Sequence, residues 1–209
     1  MDNEAKLIEY QIFSEAHKIL VKDGVRVSTM DVICKKLGIS KKTLYKYVDN
    51  KSHLIMEILR MKKIEDQKFF NELFHKKQNA IDQLYDISKF IISKLEMVNP
   101  IIMAEFEEYH PEALAFINEQ TRTMIYDNIF NNTLAGIKEG VYRKDMKADI
   151  VANCYVVLIR NMFCNVLSND MLEKHGLKDV YIEVFRYHVR GISNDKGIKY
   201  LIDKISNKK

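Results

Sequence analysis

An all-α fold is predicted for this chain of 209 residues from three observations. Apolar residues return every three or four positions along most of its length, the spacing that gives a helix one buried stripe. Only 2 prolines and 7 glycines are present, too few for the many turns of an all-β fold. The breaks that do occur, at Asp23-Gly24, Gly38, Asp49-Asn50, Pro100, Pro111 and Gly140, suit the starts and stops of helices. The expected organisation is an N-terminal domain of three small helices, residues 1–50, feeding a larger helical bundle, residues 51–209.

The first helix runs from Ala5 to Lys22, with Ile8, Ile12, Phe13, Ala16, Ile19 and Leu20 on one side. Ser28, three before Asp31, suits a capping arrangement for a short second helix carrying Met30, Ile33, Cys34 and Leu37. Gly38 ends it in a position suited to a left-handed cap, and Ile39 plugs the turn. Ser40 can cap a third helix, Lys41 to Tyr47, and Asp49-Asn50 a long fourth one reaching about Phe74. Further helices are expected over about 79–98, 101–109, 112–139, 147–168, 178–191 and 195–205, with no strand, repeat or low-complexity stretch.

Three cysteines, Cys34, Cys154 and Cys164, form no CxxC or Cys/His ligand spacing and read as buried, reduced thiols. Cys154 and Cys164 stand ten apart on one expected helix, about 15 Å along its axis, so they cannot pair within the chain. No signal-peptide pattern opens the sequence, and no apolar run approaches the ~20 residues of a membrane span. A soluble, cytoplasmic protein with no membrane partner is expected.

Charge is unevenly divided. Residues 1–63 hold 13 Lys/Arg against 8 Asp/Glu, whereas the remainder holds 20 against 21. The positive excess is therefore N-terminal, concentrated at Lys35, Lys36, Lys41, Lys42, Lys46 and Lys51. A local basic patch is what phosphate binding by counterion release requires.

The same stretch supplies the parts of a helix-turn-helix that binds double-stranded DNA. A helix about 10–12 Å across fits the major groove, about 12 Å wide, if a supporting helix and a tight turn hold it out. On the third helix Leu44 should face inward, leaving Ser40, Lys41, Lys42, Thr43, Tyr45 and Lys46 outward. Lys41 and Lys42 suit guanine O6/N7, and Thr43 a thymine methyl or a phosphate. Tyr45, Tyr47 and Lys51 suit phosphate oxygens, Lys51 from the first turn of the fourth helix.

The segment STMDVICKKLGISKKTLYKYVDNKSHL resembles the DNA-binding segment of TetR-type (tetracycline-repressor-like) transcriptional regulators. The resemblance rests on Thr29, Ile33, the Gly38-Ile39-Ser40 turn, Thr43-Leu44-Tyr45, Tyr47 and Lys51, and covers about residues 8–58. Three positions depart from that pattern. Val48 replaces a usual phenylalanine, implying looser packing between the third and fourth helices; Lys42 replaces a frequent glycine or proline; Val32 replaces a frequent acidic residue. The resemblance implies a DNA-binding set of Thr29, Ser40, Lys41, Lys42, Thr43, Tyr45, Lys46, Tyr47 and Lys51 in a homodimer bound to a near-palindromic operator. Its two reading heads must reach major grooves about 34–36 Å apart or a multiple of that. It also implies a C-terminal domain that binds a small effector, and a regulator read here as a repressor. The last long helices are the expected dimer bundle. Their Ile150, Cys154, Val157, Leu158, Phe185 and Val189 fit either a core or an interface.

Met103, Phe106, Tyr109, Phe116, Met124 and Tyr126 are the candidate effector pocket, soft and aromatic side chains suited to an apolar or amphipathic ligand. A second class, a carboxylate/histidine metal-binding bundle, is suggested by Glu72-x-x-His75, Glu107-x-x-His110 and the EFEEYHPE stretch. The spacing arises readily by chance, and no metal site is assigned. No nucleophile–base arrangement, Gly-rich phosphate loop or HExxH motif is present, so no catalytic residue and no cofactor is assigned.

Overall fold

The computed structural model describes residues 2–95, 100–163 and 169–206. Among them are ten helices: α1 (Asp2–Asp23), α2 (Met30–Leu37), α3 (Lys41–Leu44), α4 (Lys51–His75), α5 (Ala80–Leu95), α6 (Pro100–Tyr109), α7 (Pro111–Glu139), α8 (Ala148–Phe163), α9 (Asn169–Ile192) and α10 (Asp195–Ser206). No strand occurs among the described residues; the single antiparallel bridge joins Tyr142 and Ser193. The all-α expectation holds, with α9 as the main difference in element order. It begins at Asn169 and is broken at Gly176, whose φ of 72° and ψ of 155° are outside the helical region. A glycine accepts that conformation without a Cβ penalty.

The chain divides into two compact units, Met1–Phe69 with Met97–Gln120, and Phe70–Glu96 with Thr121–Lys209. The first extends well beyond residue 50 because the three small helices cannot bury their apolar faces unaided. Ile12, Phe13, Ala16, Leu20, Ile33 and Leu44 share one core with Leu54, Ile55 and Ile58 of α4 and with Ile102 and Phe106 of α6. A fully buried aliphatic side chain of this kind contributes ~1.5–3 kcal/mol. Val48 is 2% exposed within that core.

In the second unit the core is tied by a buried polar network. Asn132, on α7, donates from Nδ2 to the Ala80 carbonyl at 2.7 Å, and Tyr142 donates from its hydroxyl to Asn132 Oδ1 at 2.9 Å. The Ala80 N–H in turn donates to Glu139 at 2.8 Å. Tyr142 is fully buried, and burial raises its hydroxyl pKa far above the usual tyrosine range. Its ring lies against Gly136, where a Cβ would meet Tyr142 Cδ2 at 2.0 Å. The C-terminal helix closes on the same unit: Asn194 Oδ1 caps α10 through the Gly197 N–H at 3.1 Å, and Tyr200 and Lys204 both donate to Asp82 of α5.

Candidate nucleic-acid interface

Local sequence explains the geometry of α2 and α3. Thr29 is the N-cap of α2, its Oγ1 accepting from the Val32 N–H at 3.2 Å. Ser28, expected in that role, is instead buried and donates to the Gly24 carbonyl at 2.7 Å, fastening the preceding turn. Gly38 closes α2 at φ 66°, and the Ile39 N–H reaches back to the Cys34 carbonyl at 3.1 Å. Both residues follow the pattern of a left-handed helix end.

Ser40 then starts α3, accepting from the Thr43 N–H at 3.0 Å while its hydroxyl lies 2.8 Å from that of Thr43. The α-helix is shorter than the expected Lys41–Tyr47. It ends at Leu44, and the chain continues through a tighter turn with Lys46 N–H to Thr43 carbonyl and Tyr47 N–H to Leu44 carbonyl bonds. Leu44 is wholly buried and anchors the element; Lys41, Lys42, Tyr45 and Lys46 are exposed around it. Tyr47 is half-buried and packs against the core. Asn50 caps α4, its side-chain oxygen accepting from the His53 N–H at 2.9 Å.

The cations of this face are not equivalent. Lys41 Nζ lies 2.6 Å from Asp31 Oδ1, and that hydrogen bond and charge raise its pKa above the ordinary lysine value. Lys42 and Lys46 have no ion pair among the described residues. Lys51, expected to face a phosphate, has hydrogen-bond partners within the chain. Its ammonium donates to the Val25 carbonyl and, at 3.5 Å, to that of Arg26. Burial lowers its pKa, opposed by the charge of Glu105. Sequence patterning missed Glu105, whose partners are the N–H groups of Val25 and Arg26, 80 and 79 residues away. No local spacing announces a pairing at that distance.

The six residues read as an effector pocket are divided between the two units. Met103, Phe106, Tyr109 and Phe116 belong to the first compact unit, Met124 and Tyr126 to the second. Phe106 is core, with its ring edge-on to His110, and Tyr109 is 44% exposed. Tyr126 stacks on Phe130 at 5.7 Å. Met124 does line a small apolar cavity of the second unit, with Phe70, Ile87, Ile91, Ile129 and Tyr155; its volume of about 10 Å³ has room for about one water-sized sphere.

The carboxylate/histidine alternative finds no support: no group of three or more His, Cys, Asp or Glu among the described residues is placed to hold a metal ion. His75 Nδ1 lies 2.6 Å from the Asn71 carbonyl of its own helix. Ser52 Oγ and Glu112 Oε1 both approach Nδ1 of the buried His110, at 3.0 and 3.7 Å. Sharing one ring nitrogen, they cannot form a hydroxyl–imidazole–carboxylate relay, which uses both. Cys34 is buried as expected, but Cys154 is exposed; Cys164 lies outside the described residues. No helix among the described residues is long and apolar enough to cross a membrane.

No protein-family profile matches the chain. The uncharacterized HTH-type transcriptional regulator YvaF of Bacillus subtilis is 26% identical over 122 residues, covering 54% of this chain and 62% of that protein. Among solved structures, a TetR-family transcriptional regulator from Agrobacterium tumefaciens is similar over 90% of this chain and 99% of its own, at 14% identity and TM-score 0.67. A protein from Saccharomonospora viridis solved in complex with choline matches 90% of this chain and 99% of its own, at 18% identity and TM-score 0.66. With the capped α2–turn–α3 geometry in place, these likenesses establish that the chain has the fold of the TetR-type transcriptional regulators.

Proposed function

We propose that the chain is a DNA-binding transcriptional regulator, acting as a cytoplasmic homodimer on a near-palindromic operator and responding to a small effector. The observation that carries this reading is the outer face of α3 and its following turn. Ser40, Lys41, Lys42, Thr43, Tyr45 and Lys46 surround a fully buried Leu44 on a short element capped at its start. That is the exposed polar edge a major groove requires, with two unpaired cations for guanine or phosphate. Thr29 and Tyr47 flank it as phosphate contacts. The HTH-type relative and the TetR-family neighbours support the reading.

Dimerisation is supported by α8. Ile150, Cys154, Val157 and Leu158 recur at helical spacing and are all exposed, whereas Val189 of α9 is buried. The first four residues therefore belong to an outward apolar stripe, and Val189 to the core. An apolar stripe on a helix signals burial against a partner. For the effector, the apolar cavity beside Met124 and Tyr155 favours a small apolar or amphipathic molecule, whose entry must spread the surrounding side chains.

The test is recovery of a duplex from a random-sequence pool, followed by titration of that duplex with Lys42→Ala and Tyr45→Ala. Each should weaken binding about tenfold or more while leaving the circular dichroism spectrum unchanged. Recovery of no preferred sequence, or unaltered affinity in both variants, overturns the proposal.

A further inference from the structure

The turn between α1 and α2 is gripped from two sides by charged groups of opposite sign. From α6, Glu105 Oε2 accepts from the Val25 N–H at 2.5 Å and from the Arg26 N–H at 3.0 Å. From α4, Lys51 Nζ donates to the Val25 carbonyl and, more weakly, to the Arg26 carbonyl at 3.5 Å. The backbone donors and acceptors of both residues are thus taken up by two side chains from distant elements. Ser28 adds a bond to the Gly24 carbonyl, and Gly24 has a φ of 97°; a Cβ there would lie 3.4 Å from Glu105 Oε2.

Gly24, Val25 and Ser28 of this turn are buried, so the backbone groups of Val25 need partners within the chain. Drawing a carboxylate and an ammonium out of water to satisfy them costs desolvation. What the arrangement supplies is position. Val25 is 1% exposed in the core, and Thr29, the cap of α2, follows four residues later. The turn therefore sets where α2 begins, and α2 is the helix against which α3 is braced.

We propose that Glu105 and Lys51 are positioning residues for DNA binding, clamping the α1–α2 turn so that α2 and the reading face of α3 are held in their binding geometry. Neither contacts DNA in this scheme, which rests on the regulator reading above. Lys51 thereby acts through the protein backbone and not through a phosphate.

The sign of one substitution separates this role from plain electrostatics. Glu105→Gln removes a negative charge beside a basic face, which by itself strengthens attraction to DNA. Loss of the clamp does the opposite. The probe is the duplex recovered by the parent protein, titrated across a series of KCl concentrations. Glu105→Gln is expected to bind about tenfold more weakly, the scale of one lost charged hydrogen bond. Lys51→Met is expected to weaken binding similarly while leaving the slope of log affinity against log salt unchanged. A lysine on a phosphate would lower that slope by about 0.9.

The double variant should lose no more than the worse single one, since both break the same clamp. In the free protein, amide exchange over residues 24–28 should accelerate in each variant and remain unaltered over α5. Tighter binding by Glu105→Gln, or a slope reduced by about one in Lys51→Met, overturns the clamp while leaving the regulator reading intact. Failure of the parent chain to recover any duplex overturns both, and unaltered exchange in the variants overturns the clamp by itself.

Discussion

Acidification probes the packing of the second unit through one residue. His188 of α9 is 7% exposed, its ring centroid lies 4.1 Å from that of Tyr155, and its Nε2 has no hydrogen-bond partner among the described residues. Burial alone pushes its pKa from 6.5 down to about 4, so the folded chain holds it neutral. The unfolded chain, at about 6.5, takes up the proton first as the pH falls. Above about pH 6.5 the residue therefore has no effect on the balance. Between about pH 6.5 and pH 4 it increasingly favours unfolding. A gap of about 2.5 units, at 1.36 kcal/mol each, gives a limit of about 3 kcal/mol, of which about 2 kcal/mol is lost between about pH 7 and pH 4.5. Urea unfolding followed by circular dichroism at those two pH values, for the parent and for His188→Phe, isolates the effect because other groups titrate alike in both. The variant should lose about 2 kcal/mol less on acidification. Equal losses in the two proteins would refute the claim that His188 is neutral through burial.

Three further outcomes follow from named contacts. Gly136→Ala places a Cβ 2.0 Å from the buried ring of Tyr142, and overpacking of this kind should cost about 3 kcal/mol in denaturant unfolding; a loss under about 1 kcal/mol would mean the ring can shift. Ser40→Ala removes the cap of α3 and should lower stability by about 1 kcal/mol, whereas Ser40→Gly should cost only a few tenths, both read by thermal melting. Asp31→Asn frees Lys41 from its 2.6 Å partner and should tighten binding to the recovered duplex at low salt, with a steeper salt dependence; unchanged affinity would place Lys41 away from the phosphates.

Elements marked by local chemistry were legible in the sequence. Gly38 announces its own left-handed helix end, Asn50 its cap, and Leu44 its inward orientation in a run of polar neighbours, because each depends on residues within one turn. Tertiary partners were not legible. The spacing of Ser28 and Asp31 suggests a cap, yet Thr29 takes that role because Ser28 finds the Gly24 carbonyl in a buried turn. Phe106 and Met124 look alike as soft, apolar pocket residues, and only the packing of α6 against the N-terminal core separates them. Lys51 matches the family pattern by position, but its hydrogen bonds depend on where the chain folds back 26 residues earlier. The apolar spacing of α8 likewise reveals a stripe without saying which stripe faces out, and exposure of Ile150 and Val157 decides it.

The clamp on the α1–α2 turn has a consequence for biosynthesis. The core under α2 and α3 needs Ile102, Phe106 and Ala113, and the turn before them needs Glu105, so α1 to α4 leave the ribosome before their stabilising partners exist. These helices must wait, incompletely packed, until α6 and the start of α7 have emerged. The second unit waits longer still, because Asp82 meets Tyr200 and Lys204 only after α10 has been made. Contacts so far apart in sequence slow folding and leave apolar surface uncovered during synthesis. Nascent chains halted just before α6 should therefore be protease-sensitive throughout α1 to α4, although every residue of the helix-turn-helix is already present.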